Sequence, residues 1–206
     1  MKTVINTSTN PYFNLALEEY LLKEFSLHDD LFYVWRNDPC VVVGRNQNPF
    51  NEIHLNYADR HHIPVIRRIS GGGAVYHDLG NINFTYITKN ISKRLNNYRF
   101  FVQPIIDILE RTGLPVRFVE SSHIYLGDTK ISGNAQSFHK NKMLHHGTLL
   151  FDSDLEHLTN ILKIQKTYES HAVNSTHSQT RNIKEVLQVD TTIEEFMEFL
   201  LSEMLM

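Results

Sequence analysis

The sequence predicts a mixed α/β domain, strand-rich in the middle with helices on the outside, and three observations carry that prediction. The chain has 206 residues, 41% hydrophobic and 21% charged, which suits one well-cored domain. Short runs rich in valine and aromatics, over residues 31–36, 40–44 and 81–88, are bounded by turn-forming residues, the mark of strands. Apolar residues at helical spacing occupy 14–24, 98–111 and 193–205. No internal repeat, low-complexity tract or linker divides the chain, so 1–206 read as a single unit.

Val4-Ile5 begins a short strand. Asn10-Pro11 supplies a helix N-cap and a proline at the first helical position. Phe13, Leu17, Tyr20-Leu21 and Phe25 then recur at helical spacing, which predicts an amphipathic helix with that stripe as its apolar face. Asn37-Asp38-Pro39 makes a turn between the strands at 31–36 and 40–44; 45–49 is a polar loop, and a helix follows near 52–60. A strand over 64–69 runs straight into three glycines. In the next, 81–88, Ile82, Phe84 and Tyr86 share one face and Asn83 and Thr85 the other. Joining those two strands would put the glycine backbone at the rim of a sheet.

The helix at 98–111 is apolar at Phe101-Val102, Ile105 and Ile108-Leu109, and Pro104 suits it only near the start or at a kink. Thr112-Gly113 ends it. Strands at 116–119 and 124–126 follow, and Gly127-Asp128 turns the chain into a strand over 130–137. A period of two puts Lys130 and Ser132 on one face there, with Ile131 opposite. A strand at 145–151, a short helix at 155–164 and a polar loop at 167–181 come next. One or two helical turns at 183–187 precede a last helix, 193–205, behind the Thr192/Glu195 capping box.

Composition excludes several classes of function. A net charge of −3 and a pI near 6.4 leave no electrostatic footprint for nucleic acid or an anionic membrane. The single cysteine, Cys40, rules out an intrachain disulfide framework and fits a reducing compartment. The N-terminus turns polar too soon for a signal peptide, and no apolar run reaches membrane-span length. The expected setting is the cytoplasm.

The chemistry centres on Arg67-Arg68-Ile69-Ser70-Gly71-Gly72-Gly73-Ala74-Val75-Tyr76-His77-Asp78. Three adjacent glycines belong where no side chain fits or φ must be positive, and their N–H groups can form an anion-binding concavity. The two arginines add donors suited to carboxylate or phosphate. A mobile glycine hinge is the competing reading; the flanking arginines and polar residues favour a ligand site. Lys130, in Gly-Asp-Thr-Lys-Ile-Ser-Gly-Asn, has small and polar neighbours that clear room around its ammonium. It can serve as a point charge on an anion or as a nucleophile. His145-His146 lies near His139 and Asp152 but without metal-site spacing, so no metal ligands are assigned. Adjacent strand histidines point to opposite faces, so one of the two can line a pocket. Cys40 sits in an apolar strand and reads as inert. No nucleophile elbow, Walker A loop or dinucleotide fingerprint occurs. From the residues alone, the site binds an anionic, partly apolar ligand between a glycine-rich cradle and one lysine.

Arg-Arg-Ile-Ser-Gly-Gly-Gly-Ala-Val-Tyr-His-Asp-Leu-Gly-Asn, followed by Lys-Ile-Ser-Gly-Asn-Ala and His-His-Gly-Thr-Leu-Leu, closely resembles the lipoate–protein ligase family. Asn-Leu-Ala-Leu-Glu-Glu and Val-Val-Gly-Arg-Asn-Gln-Asn match too, so the resemblance spans essentially the whole chain. It implies a central mixed, largely antiparallel sheet flanked by helices, the fold shared with biotin–protein ligases and octanoyltransferases. The implied activity is activation of lipoate with ATP to lipoyl-AMP, then transfer to a lysine of an acceptor: a 2-oxoacid dehydrogenase E2 lipoyl domain or a glycine-cleavage H-type protein. Carried over by motif, Arg68, Ser70 and Gly71, Gly72 and Gly73 hold the lipoyl-adenylate. Val75 and Tyr76 take its adenine end, and Ala74 and Asn81 are further substrate- or nucleotide-binding positions. Lys130 is the catalytic cation of both half-reactions; His146, Gly147 and Thr148 line the lipoyl side. Mg²⁺ offsets the triphosphate charge.

Three departures from the family pattern stand out. Ser122-His123 replaces the usual Asn-Asp before the catalytic hairpin, and Thr176–Asn182 lacks two arginines of Val-Arg-Ser-Arg-Val-Thr-Asn. The chain is also expected to stop within the last helix of the large domain, without the small C-terminal domain, whose place a separate accessory domain or subunit could take. Two alternatives remain open. An ATP-free lipoyl or octanoyl transferase usually needs a cysteine acceptor, against which the buried reading of Cys40 argues. A non-catalytic binder of lipoyl-adenylate or acceptor is kept open by the substitutions at 122–123 and 177–179. Biotin ligase is disfavoured, because its Gly-Arg-Gly-Arg pattern is absent.

Overall fold

The structure is a computed structural model that describes residues 1–89, 96–119, 122–162, 168–176 and 178–204. A larger sheet contains β1 (Lys2–Ile5), β2 (Leu31–Trp35), β6 (Asn81–Thr88), β7 (Val116–Val119), β8 (His123–Leu126), β9 (Thr129–His139) and β10 (Lys142–Leu150), in the order β1-β2-β6-β10-β9-β8-β7. A smaller one, ordered β4-β3-β5, contains β3 (Cys40–Val43), β4 (Val65–Arg67) and β5 (Val75–His77). Among these pairings β1·β2 and β3·β4 are parallel and the rest antiparallel, so the mixed, largely antiparallel expectation holds.

Alternation along β6 sorts the layers. Ile82, Phe84 and Tyr86 face α4 (Tyr98–Arg111) and α6 (Ile193–Glu203), in one core with Phe32, Val34, Phe101, Ile105 and Phe196. On the other face of the sheet, Tyr33, Trp35, Ile87 and Leu144 pack with Leu15 and Leu22 of α1 (Pro11–Lys23) and with Cys40 and Val42 of the smaller sheet. The far side of that sheet, through Val41, Val43 and Tyr76, meets Ile53, Ala58 of α3 (Leu55–Arg60) and Ile161 of α5 (Leu155–Ile161). Asn10 caps α1, and Thr192 with Glu195 caps α6 by the expected box. Among the described residues no helix is long and apolar enough to cross a membrane.

Several sequence expectations are corrected. The strands flanking Asn37-Asp38-Pro39 go to different sheets, as do β4 and β6. Between these last two lies β5, whose three residues are too few to show an alternation. The helix expected near 52–60 is two, α2 (Pro49–Glu52) and α3. Pro104 sits in the interior of α4, not in its first turn. Of the helix expected at 155–164, α5 covers 155–161; residues 163–164, Thr167, His177 and Leu205 lie outside the described residues.

The main reversal concerns α1. Phe13, Tyr20 and Phe25 of the predicted apolar stripe are 52%, 53% and 42% exposed, whereas Asn14 and Glu18 are 1% exposed. The buried face is chosen by polar contacts: Asn14 Nδ2 donates to the carbonyls of Ser8 (2.8 Å) and Arg36 (3.0 Å) and to Asn37 Oδ1 (2.9 Å), and Asn6 Nδ2 donates to Asn14 Oδ1. Asn14→Ala leaves those acceptors unpaired in the interior. It should lower unfolding free energy by about 2–3 kcal/mol in urea titrations; a loss below about 0.5 kcal/mol would deny Asn14 this role.

Candidate functional site

Two adjoining chambers lie between the sheets, of about 260 and 770 Å³, and Lys130, Gly133 and Thr148 line both. Their floor is one row of the larger sheet. Trp35 pairs with Asn83, Asn83 with Thr148, and Thr148 Oγ1 accepts the Gly133 amide at 3.2 Å. At strand spacing that row is about 14 Å long. The roof is the glycine segment, with β5 and α1 beside it.

Arg68 builds the glycine segment. Its guanidinium is buried and donates to the carbonyls of Val42 (3.1 Å), Gly71 (2.6 Å) and Gly73 (2.7 Å), and to Ser70 Oγ (2.9 Å). The bends this requires explain two glycines. Gly72 has φ +88°, and a Cβ on Gly44 would stand 2.0 Å from the Gly72 carbonyl oxygen. Arg67 is exposed and holds the loop before α2, donating to the carbonyls of Gly44, Arg45 and Gln47. Both arginines therefore serve the backbone first. Burial lowers the Arg68 pKa to about 10, with Glu18 pulling it back up.

A chain of hydrogen bonds answers that buried charge. Because Ser70 Oγ accepts from Arg68, its own hydrogen is free for His146 Nε2, at 2.6 Å. His146 Nδ1 in turn lies 3.0 Å from both oxygens of Glu18, which also accepts from Thr85 Oγ1 at 2.7 Å; Thr85 accepts from Trp35 Nε1. Arg68, His146 and Glu18 line the smaller chamber, while Ser70 stands behind its wall. Glu18 was not among the residues singled out in the sequence. Its signal was a carboxylate on the same helical stripe as Leu15 and Leu22, three residues after the first and four before the second.

Lys130 stands where the chambers meet. A register shift between β8 and β9 leaves Ile131 without an opposite residue, and Ile131 goes to the core while Lys130 and Ser132 face the larger chamber. A Cβ on Gly133 would sit 3.2 Å from Lys130 Nζ, so the glycine clears the space the sequence implied. The Lys130 backbone is held by Gln179 O and the Arg181 amide. Among the described residues no carboxylate pairs with its ammonium. Burial, then the charge of Arg68, lowers its pKa to about 8.

The two histidines divide as expected. His145 is fully buried, stacked on Phe101 at 4.8 Å, and held neutral by burial and by His146; His146 faces the chamber. Gly147 is required by neighbours on the core side: a Cβ there would lie 2.1 Å from Asn134 Oδ1 and 2.4 Å from Phe84. Gly72, Gly73, Ala74, Val75 and Thr148 also line the smaller chamber, and Tyr76 the larger. Ser70, Gly71 and Asn81 line neither; Asn81 Nδ2 instead donates to Asn83 Oδ1. Ser122 and His123 are on the wall of the smaller chamber. Cys40 is fully buried, and burial pushes its thiol up to about 12. Among the described residues no cluster of His, Cys, Asp or Glu could hold a metal by itself.

The polar loop predicted over 167–181 proves to be a wall. Ser175 Oγ accepts from the Ala74 amide (2.9 Å) and Gln47 Nε2 (3.0 Å), and the Ser175 amide donates to Glu52. Asn51 grips the Tyr168 backbone at both N and O. No periodicity announces such a strap, because each contact is made by a different element.

The sequence profile described as the lipoyl protein ligase A/B catalytic domain matches residues 10–205. Lipoate–protein ligase 1 of Staphylococcus aureus is 41% identical over 203 residues, covering 98% of this chain and 62% of that protein. P. falciparum LipL1 in complex with lipoate superposes with a TM-score of 0.82 at 29% identity, over 98% of this chain and 60% of the other. A lipoate–protein ligase A bound with ATP gives 0.81 at 27% identity, over 98% and 83%. The chain spans about three-fifths of the length of the curated relatives it matches.

The lowered pKa of Lys130 has a direct readout. Competitive acetylation followed by mass spectrometry should give Lys130 a titration midpoint near pH 8. A midpoint near 10.5 would place it in water. Since the unfolded chain keeps that proton to about 10.5, the folded state should gain stability as pH rises from 8 towards 10.5.

Proposed function

The chain belongs to the lipoyl protein ligase A/B catalytic-domain family, and on that premise we propose that it activates lipoate with ATP as lipoyl-AMP and transfers the lipoyl group to an acceptor lysine. The observation that carries this reading is a half-buried lysine, without an acidic partner among the described residues, at the junction of two chambers of unequal size. An acyl-adenylate has that division: a hydrocarbon chain, a nucleotide, and the reacting acyl phosphate between them.

In this assignment the lipoyl chain enters the smaller chamber, past His146, Gly147 and Thr148 towards Leu15, Trp35 and Val42. The adenylate occupies the larger chamber along Ala74, Val75 and Tyr76. Gly72 and Gly73 present backbone between them, in the shape that Arg68, Ser70 and Gly71 enforce, and Asn81 acts through Asn83. The carboxylate of lipoate attacks the α-phosphorus and pyrophosphate leaves. The acceptor amine then attacks the acyl carbon and AMP leaves. In both steps negative charge develops on oxygens beside Lys130, whose ammonium is already partly desolvated. Glu52 lines the larger chamber and offers one hard oxygen; with phosphate oxygens that meets the modest demand of Mg²⁺ for protein ligands. The ion would supply further neutralisation of the triphosphate. The acceptor is a lipoyl domain of the E2 type or an H-type protein, and the setting cytoplasmic.

An ATP-free transferase would need an acyl-thioester cysteine. Cys40, fully buried and with its thiolate disfavoured, does not support one.

The test is mass spectrometry of an acceptor domain incubated with the protein and either lipoate plus ATP-Mg²⁺ or preformed lipoyl-AMP. Modification from both donors is expected; modification from neither removes the reading. Lys130→Ala should reduce transfer by about 10²–10³ while the protein stays folded, and Lys130→Arg should not restore it, because a planar fork does not fit a point-charge site. Cys40→Ser should leave the rate within about threefold, since no step uses the thiol. An acyl group trapped on Cys40 would reverse the assignment in favour of the transferase.

A further inference from the structure

Beside Lys130 stands a second nitrogen base, His123. It opens β8 directly opposite Gly133 of β9. The point that a Cβ on Gly133 would occupy lies 3.2 Å from Lys130 Nζ and 3.9 Å from His123 Nδ1, so ammonium and imidazole flank the same gap. Nδ1 is sealed from solvent and makes no hydrogen bond among the described residues. The half-buried ring therefore meets the smaller chamber by its other nitrogen, Nε2. The residue before it fixes this placement. Ser122 has φ +114°, and its carbonyl is held by the amide and the Nδ2 of Asn134, each at 2.9 Å.

Burial, then the charge of Lys130, lowers the ring pKa to about 4, with the Ser122 backbone opposing. His123 is thus neutral near pH 7. No hydrogen bond among the described residues fixes its tautomer, so the form with its lone pair on Nε2 is available. An amine that attacks an acyl carbon becomes acidic and must lose a proton, and the other groups around the two chambers are committed elsewhere. Lys130 serves as the cation. His146 has both ring nitrogens engaged, by Ser70 and by Glu18, and Glu18 also accepts from Thr85. His77 is buried with Nδ1 on Asn37, and Glu52 holds the Ser175 amide. Among the described residues His123 is the base with an open lone pair beside the reacting point.

We infer that His123 is a catalytic residue of the transfer step, taking the proton that the acceptor's attacking amine must shed. The inference rests on the lipoyl reading. The amine arrives unprotonated, having left one proton in solvent. Its nitrogen bonds to the acyl carbon and an N–H proton passes to Nε2. The bond from that carbon to the phosphate oxygen breaks, and AMP leaves with the electron pair. His123 then releases its proton to solvent. The negative charge of the adenylate beside Lys130 offsets the cation that suppresses the ring's basicity, so His123 is a stronger base with substrate in place.

Single-turnover transfer from preformed lipoyl-AMP to an acceptor domain, measured with the whole chain and corrected for the reaction without protein, tests this. His123→Ala and His123→Gln should each slow transfer by about 10²-fold. Added imidazole should then speed His123→Ala by about tenfold, acting as the missing base, but not His123→Gln, whose side chain fills the space. A wild-type rate in either folded variant overturns the inference and leaves the lipoyl reading standing. So does a slow His123→Ala that imidazole does not speed, which marks a structural role. If His123→Ala does not fold, the rate of His123→Gln decides; if neither folds, the ring belongs to the fold and the inference fails. No transfer by the wild-type chain removes both the inference and the reading beneath it.

Discussion

The buried guanidinium of Arg68 is the constraint on which the rest of the site depends. A cation this deep is tolerable only where its donors are used and its charge is answered. The glycine segment meets the first condition by turning the carbonyls of Gly71 and Gly73 inward, which fixes the path of the loop. Ser70, His146 and Glu18 meet the second by relaying polarisation to a buried carboxylate on α1. One charge thus ties together the smaller sheet, the larger sheet and the first helix, the three elements that enclose the chamber.

The same economy explains why α1 presents its aromatics to solvent. Burying Phe13 and Tyr20 instead would have turned Asn14 and Glu18 outward, taking a donor from the carbonyls of Ser8 and Arg36 and an acceptor from His146 Nδ1 and the Thr85 hydroxyl. Apolar burial stabilises by area and is interchangeable among side chains, whereas these acceptors and donors have single geometric solutions. The polar contacts therefore decide the rotation of the helix.

Lys130 is poised by two features of β9, the irregular register beside it and the space over Gly133. Together they put the ammonium at the boundary between the two chambers, desolvated enough to interact strongly and open enough to meet ligands from both sides. Arg68 behind it adds positive potential without competing for the same ligand, since its N–H groups are committed to the backbone. A fixed, unneutralised charge of this kind favours states in which negative charge has developed nearby.

Much of this was determined by the sequence by itself. The strands Asn81–Thr88 and Val116–Val119, the helix Tyr98–Arg111 and the caps at Asn10 and Thr192 follow from local periodicity and capping chemistry, which need no distant partner. That Gly72, Gly73, Lys130 and one histidine of the His145-His146 pair would line a cavity was legible because each depends on neighbours within a few residues. Tertiary structure alone decided the division into two sheets, the buried face of α1, and the use of Ser175, Glu18, His77 and Asn83 as walls of the chambers. Those depend on contacts between residues tens of positions apart, such as Glu18 with His146 and Ala74 with Ser175. A linear pattern records which residues repeat, not which distant donor each buried acceptor must meet.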